Sequence, residues 1–366
     1  MVERSLRSAY DVKSNSIGFL RLLLAGTVLF SHTWILGNFG TEPLLYGPVN
    51  IGNIAVCGFF ALSGLLITQS VERFPLGRFA WHRALRILPG FWVCLLVVGF
   101  GFAPLAYVAQ HGSLSGFLSA TDGPFHYLRA DYTVRIHEFG VSGTPAGIHF
   151  PRSGHVWDGS LYTLWPEVKC YIAVGLLAAT GLLTRARFIA PLAAMALLLL
   201  VHNRVADQLH LSQWPGWLLD APTSRFGLCF FVGASLWLYR DRVPLSAPLA
   251  SLALLGVGLL LVTGRWDDGA GVLFSYVMIW TATALPFRKV GRSRDFSYGI
   301  YIYAFPTQQA LALTHLRTGG PALFMLISAI GATALAVTSW YAVERHALRL
   351  KAIAPWSERD PVSQRS

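Results

Sequence analysis

The chain has 366 residues, 54% of them hydrophobic and 13% charged, with a formal net charge of +11. Together with a mean hydropathy of +0.50, this excludes an ordinary soluble domain and points to a membrane protein. The basicity alone would also suit a nucleic-acid partner, and only its distribution along the chain decides between the two.

Apolar runs long enough to cross ~30 Å of hydrocarbon recur at 17–36, 49–70, 87–109, 160–183, 188–206, 221–239, 246–264, 270–286, 297–315 and 321–343. The alternating pattern of a β-barrel is absent, so the runs are predicted helices. The expectation is an all-α polytopic membrane protein: about ten transmembrane helices in one bundle over residues 1–350, then a short polar tail, 351–366. The two chain ends and the loops on the same side hold twenty Lys and Arg, among them Arg73, Arg78, Arg288, Lys289, Arg292 and Arg294. The other side holds six: Arg129, Arg135, Arg152, Arg204, Arg265 and Arg317. That asymmetry puts both termini in the cytoplasm and makes the basicity a matter of topology, with no nucleic-acid partner. No small-residue cleavage site follows the first run, which reads as an uncleaved anchor.

The first run, IGFLRLLLAGTVLFSHTW, contains Arg21 and His32. Eleven residues at about 100° each bring the two onto one helical face, about 16 Å apart along the axis. Ionisable groups in hydrocarbon are costly and mark sites or pathways. The plainer alternative is a snorkelling arginine and a histidine satisfied in the bundle interior. Cys57, Cys94, Cys170 and Cys229 fall within predicted helices without metal-ligand spacing and read as packing residues. Between the second and third runs, RFPLGRFAWHRALRILPGFW sets Arg83 and Arg86 at i, i+3. On one face they form a fork suited to phosphate, with Phe79 and Trp81 available to stack on a base. Ordinary positive-inside charge gives the same pattern.

The segment 110–158 is predicted to be a long extracytoplasmic loop rich in Gly, Ser, His and Pro. Such a loop in a compact protein is usually functional, and this one could lie over an outward-facing site. Its histidines lack ligand spacing, so no metal is expected there. The next run begins GSLYTLWPEVKCYIAVGLL. Lys169 stands about 200° round the helix from Glu167, so the two do not pair. Glu167 is free to meet another helix, and His32, at similar depth, is its natural partner. A carboxylate beside an imidazole raises its basicity and orients its proton, as a general base or nucleophile requires. A structural interhelical ion pair is the alternative. Arg225 opens the sixth run, as a snorkelling residue or an acceptor contact. DFSYGIYIYAFPTQQAL opens the ninth with Ser297, Tyr298, Tyr301 and Tyr303 ahead of Pro306; tyrosines at a membrane end are ordinarily belt residues.

These pieces, in this order, resemble the acyltransferase-3 family of bacterial integral-membrane O-acyltransferases. The resemblance rests on Arg21 with Ser31–His32, on AVCGFFALSGLLITQS, on HRALRILPG, on GSLYTLWPE and on SYGIYIYAFP, and it covers nearly the whole chain. It implies acyl-CoA, most simply acetyl-CoA, as donor co-substrate on the cytoplasmic side, with no permanently bound cofactor. It also implies a saccharide acceptor (a cell-surface glycan or lipid-linked sugar), membrane lipids as surroundings, and the bacterial cytoplasmic (inner) membrane as location. It carries His32 as the catalytic residue, Glu167 as the conserved acid, and Arg21, Arg83 and Arg86 as donor-side cations. Weaker substrate contacts are expected from Ser63, Tyr162, Arg225 and Tyr298. Two departures stand out: Cys57 where many members have Asp, and Tyr162 where Trp is common. The esterase-like domain that follows in some members is not expected. The rival from another class is a transporter or lipid-linked-sugar flippase, with Arg, His and Glu as a substrate or proton path. No inverted repeat supports it.

Overall fold

The first predicted span is a helix, α1 (Ile17–Leu36), ending at Gly37. The computed structural model describes residues 5–46, 49–146, 149–150, 154–189, 192, 221–266, 269–292 and 294–353. After a short hairpin, β1 (Leu44–Tyr46) with β2 (Val49–Asn50), α2 (Ile51–Arg73) begins with Asn50 as its cap. The Asn50 side chain accepts from the Asn53 backbone N–H at 2.7 Å, satisfying a donor that the helix start would otherwise leave open. Pro75 then starts α3 (Leu76–His111). Its π-turn at Val98–Phe102 contains Gly99 and Gly101. The helix stops at Gly112, whose φ of 75° is the left-handed conformation that glycine adopts without steric cost.

Among the described residues the longer helices that follow are α4 (Pro124–Asp131), α5 (Leu164–Ala179), α6 (Ala221–Leu238), α7 (Ala247–Val262), α8 (Ala270–Ala284), α9 (Ser297–Ala312) and α10 (Pro321–Ser339). A second hairpin pairs β3 (His149–Phe150) with β4 (Gly154–His155). The chain is thus mostly helical. Among the described residues, four helices are long and apolar enough to cross a membrane: Ile17–Leu36, Ile51–Arg73, Leu76–His111 and Pro321–Ala352. Arg225–Leu238, Ala247–Val262 and Ala270–Ala284 are shorter and apolar. The ten-span expectation is met only in this coarser form. The spans expected at 160–183 and 297–315 fold as helices of 16 residues each, and the one at 188–206 lies almost wholly outside the described residues.

Helices α2 and α6 make the most extensive helix pair, and two glycines allow it. A Cβ on Gly64 would stand 1.8 Å from the Phe230 carbonyl oxygen, and one on Gly233 would stand 2.0 Å from that of Ala61. The two backbones touch, as small residues permit in membrane helix pairs. Helix α1 packs among α2, α9 and α10. Two buried amides tie α9 in place. Gln308 donates to the Leu29 carbonyl at 3.0 Å and to Thr33 Oγ1 at 2.8 Å, while Gln309 donates to the Val156 carbonyl at 2.7 Å. The latter bond anchors the end of the long loop, which Trp157 N–H reinforces by donating to the Phe139 carbonyl at 2.7 Å. Phe139 and Val156 from this loop line the cavity that contains His32.

Candidate active site

His32 stands in the last turn and a half of α1, after which the chain turns back ahead of the β1–β2 hairpin. That return places Glu42 against the imidazole: His32 Nδ1 and Glu42 Oε1 are 2.7 Å apart. A carboxylate only accepts, so Nδ1 carries the shared proton, and in the neutral ring Nε2 keeps its lone pair. Among the described residues nothing hydrogen-bonds to Nε2. Glu42 Oε2 in turn accepts from Asn50 Nδ2 at 2.6 Å, so the residue that caps α2 also fixes the carboxylate. Phe305 meets the imidazole edge-on, with ring centroids 5.1 Å apart. Together these contacts fix the ring from two sides. His32 lines a cavity of about 510 Å³ with Asn53, Tyr162, Thr163 and Tyr301. Tyr162, on the 3₁₀ turn Leu161–Thr163, is one of its walls.

Glu167 does not meet His32. It lies in the first turn of α5 and accepts from Ser63 Oγ at 3.1 Å and from Tyr171 OH at 2.5 Å. With Arg21, Ser63 and Tyr298 it lines a separate small cavity of about 40 Å³. The expected pair does not form: the two side chains line different cavities, and the imidazole is taken by the loop carboxylate of Glu42. The two cavities nevertheless adjoin, since Val56, Thr163 and Tyr301 line both.

At the other end of α1, Arg21 NH1 and Arg86 NH2 both donate to Asp295 Oδ2, each at 2.7 Å. Asp295 precedes α9, and its Oδ1 accepts from the Ser297 backbone N–H at 3.1 Å. Burial alone would raise its carboxyl, but the two guanidiniums, assisted by Ser297, hold it down at about 2. The Arg86 guanidinium also lies 5.6 Å from the centre of the Tyr298 ring, whose hydroxyl donates to the Ile87 carbonyl at 2.8 Å. Arg21 lines a third cavity of about 200 Å³, together with Lys13, Asn15, Arg288 and Arg292. Shared walls therefore link three cavities along α1: a basic mouth, a narrow middle at Arg21 and Glu167, and the His32 chamber.

Two expected residues stand apart. Arg83, one turn from Arg86, lines an apolar groove between α3 and α5, whereas Arg86 is held by Asp295. Arg225, half-buried on α6, lines none of the three linked cavities. Sequence reasoning missed Glu42, Asn50 and Asp295. Glu42 and Asp295 were visible as lone acids at the edges of apolar runs, in TEPLLYGPVN and DFSYG, but nothing local tells which cation each meets.

A family model described as an acyltransferase domain, that of the acyltransferase-3 family, matches residues 14–341. An O-acetyl transferase of Shigella phage Sf6 is 32% identical over 349 residues, covering 92% of this chain and 96% of that protein. Nodulation protein 10 of Rhizobium leguminosarum bv. viciae is 24% identical over 366 residues, covering 92% of this chain and 94% of its own length. No solved structure matches the chain. The family match extends from before α1 to the far end of α10 and so takes in His32, Arg21, Arg86 and Asp295: the chain belongs to the acyltransferase-3 family.

Proposed function

We propose that this acyltransferase is an O-acetyltransferase of the bacterial inner membrane. It moves an acetyl group from cytoplasmic acetyl-CoA to a hydroxyl of a cell-surface or lipid-linked saccharide. One observation carries the reading: the His32–Glu42 pair, 2.7 Å apart, faces the first of three cavities that follow α1 to a basic mouth and share lining residues in turn. Lys13, Arg288 and Arg292 at that mouth suit the phosphates of CoA through charge-assisted bonds, with Arg21 and Arg86 held behind them by Asp295. The pantetheine arm then follows α1 towards His32. The middle cavity, about 40 Å³, is too small for that arm at rest, so Glu167, Ser63 and Tyr298 must shift as it passes.

In the chamber His32 Nε2 takes the proton of the acceptor hydroxyl, and the oxygen attacks the thioester carbonyl. The bond to sulfur breaks, and the leaving thiolate receives the proton from the imidazolium. Attack by Nε2 itself, through an acyl-imidazole, uses the same geometry. In either route Glu42 stabilises the charged ring, while Tyr162 and Asn53 flank the space for the sugar. His32→Ala at normal protein level should abolish acetylated product, and undiminished product would overturn the assignment.

The linked cavities also suit a conduit, which keeps a transporter or flippase as the second reading. Proteoliposomes supplied with acetyl-radiolabelled acetyl-CoA separate the two. Label on the saccharide supports transfer, whereas unmodified saccharide crossing the bilayer supports transport.

A further inference from the structure

Helices α3 and α5 enclose a groove of about 440 Å³ whose walls include Phe79, Ala80 and Ile87 on one side and Val168, Ile172 and Gly175 on the other. Its lining is apolar apart from a few groups, of which Arg83 is the only cation among the described residues. Among the described residues nothing hydrogen-bonds or ion-pairs with Arg83, and its Nε is buried without a partner. Glu167, an acid whose charge reaches it, is engaged by Ser63 and Tyr171, while Arg86 and Arg21 add positive charge. Lys351, beyond the end of α10, feels both Arg83 and Arg86. An uncompensated guanidinium at the wall of an apolar groove calls for an anion that carries an apolar tail.

The flanks of the groove indicate where that ligand comes from. Ile172 and Leu176 are 53% and 61% exposed, and Leu76 is 40% exposed, so the groove opens among side chains suited to hydrocarbon rather than water. Arg83 lies about 10 Å along α3 from its first residue, near an end of the helix rather than its middle, within reach of lipid headgroups. We infer that the groove binds an anionic phospholipid of the surrounding bilayer. Its phosphate pairs with the Arg83 guanidinium and one acyl chain lies between α3 and α5. The wall behind that lipid is Tyr171, whose hydroxyl holds Glu167 beside the narrow middle cavity, so the lipid packs against the passage without entering it. This assignment does not depend on the acyl-transfer reading.

The test is native mass spectrometry of the full-length protein, purified in detergent and titrated separately with phosphatidylglycerol, phosphatidylcholine, inorganic phosphate and acetyl-CoA. Wild type should retain phosphatidylglycerol in preference to phosphatidylcholine. Arg83→Gln should lower that retention about tenfold, as expected for loss of one charge-assisted contact. Gly175→Leu should lower it as well by filling the groove with Arg83 intact, since a Cβ there meets only Phe79 at 3.9 Å. Arg83→Lys keeps the charge and guards against a folding failure of the glutamine variant. Equal retention of the two lipids by wild type would overturn the proposal, as would displacement of phosphatidylglycerol by inorganic phosphate alone. So would weakened acetyl-CoA binding in Arg83→Gln with lipid retention unchanged, which would return Arg83 to the donor.

Discussion

At the scale of single residues, the chain separates two carboxylates that look alike in sequence. Glu42 touches the His32 ring, whereas Glu167 lines the passage towards Arg21. Glu42→Gln should therefore cut turnover by about a hundredfold, because the amide no longer stabilises the imidazolium, and should leave the KM for acetyl-CoA nearly unchanged. Glu167→Gln should act mainly on that KM, since its contacts are with Ser63 and Tyr171 beside the narrow segment. Steady-state kinetics with varied donor checks both, and the opposite pattern would exchange their roles. His32 itself was legible because an imidazole so deep in an apolar run has few bland explanations. Its partner was not, because the nine residues between them are the end of α1 and the turn that follows it, and hydropathy carries no information about where such a turn returns.

At the scale of elements, Asp295 binds the start of α9 to α1 and α3 through Arg21 and Arg86. Removing it leaves two guanidiniums facing each other. Asp295→Asn should lower stability by about 2–3 kcal/mol, a buried-pair value reduced for the residual exposure of the three groups. The same clasp sets an acid limit. Its carboxyl is depressed from 3.8 to about 2, so the stabilisation is complete above the ordinary value and is lost as the pH falls through about 2. Unfolding of wild type and Asp295→Asn across acid pH should show the gap between them closing over that window. Where α2 crosses α6, Gly64→Ala drives a methyl into the Phe230 carbonyl. A loss of about 3 kcal/mol is expected, seen as a lower apparent unfolding temperature in detergent. The helices themselves were plain from apolar runs and flanking Gly and Pro. The backbone contact was not, since Gly64 and Gly233 look like any other glycine in a membrane helix until the crossing brings them to Ala61 and Phe230.

At the scale of the whole molecule, the charge asymmetry predicts that a reporter active only outside the cytoplasm stays silent when fused after residue 353, and is active when inserted within 110–158. The reverse result would invert the proposed direction from mouth to chamber. By itself the sequence determined the helical membrane class, the family, and the shared face of Arg21 and His32, because hydropathy and helical period are read from neighbours along the chain. Only the tertiary structure decided that His32 meets Glu42 rather than Glu167, that Arg21 and Arg86 converge on Asp295, and that Arg83 turns to a groove. Those pairings depend on how far each helix is offset along its neighbour and where each loop returns, and no local pattern encodes either.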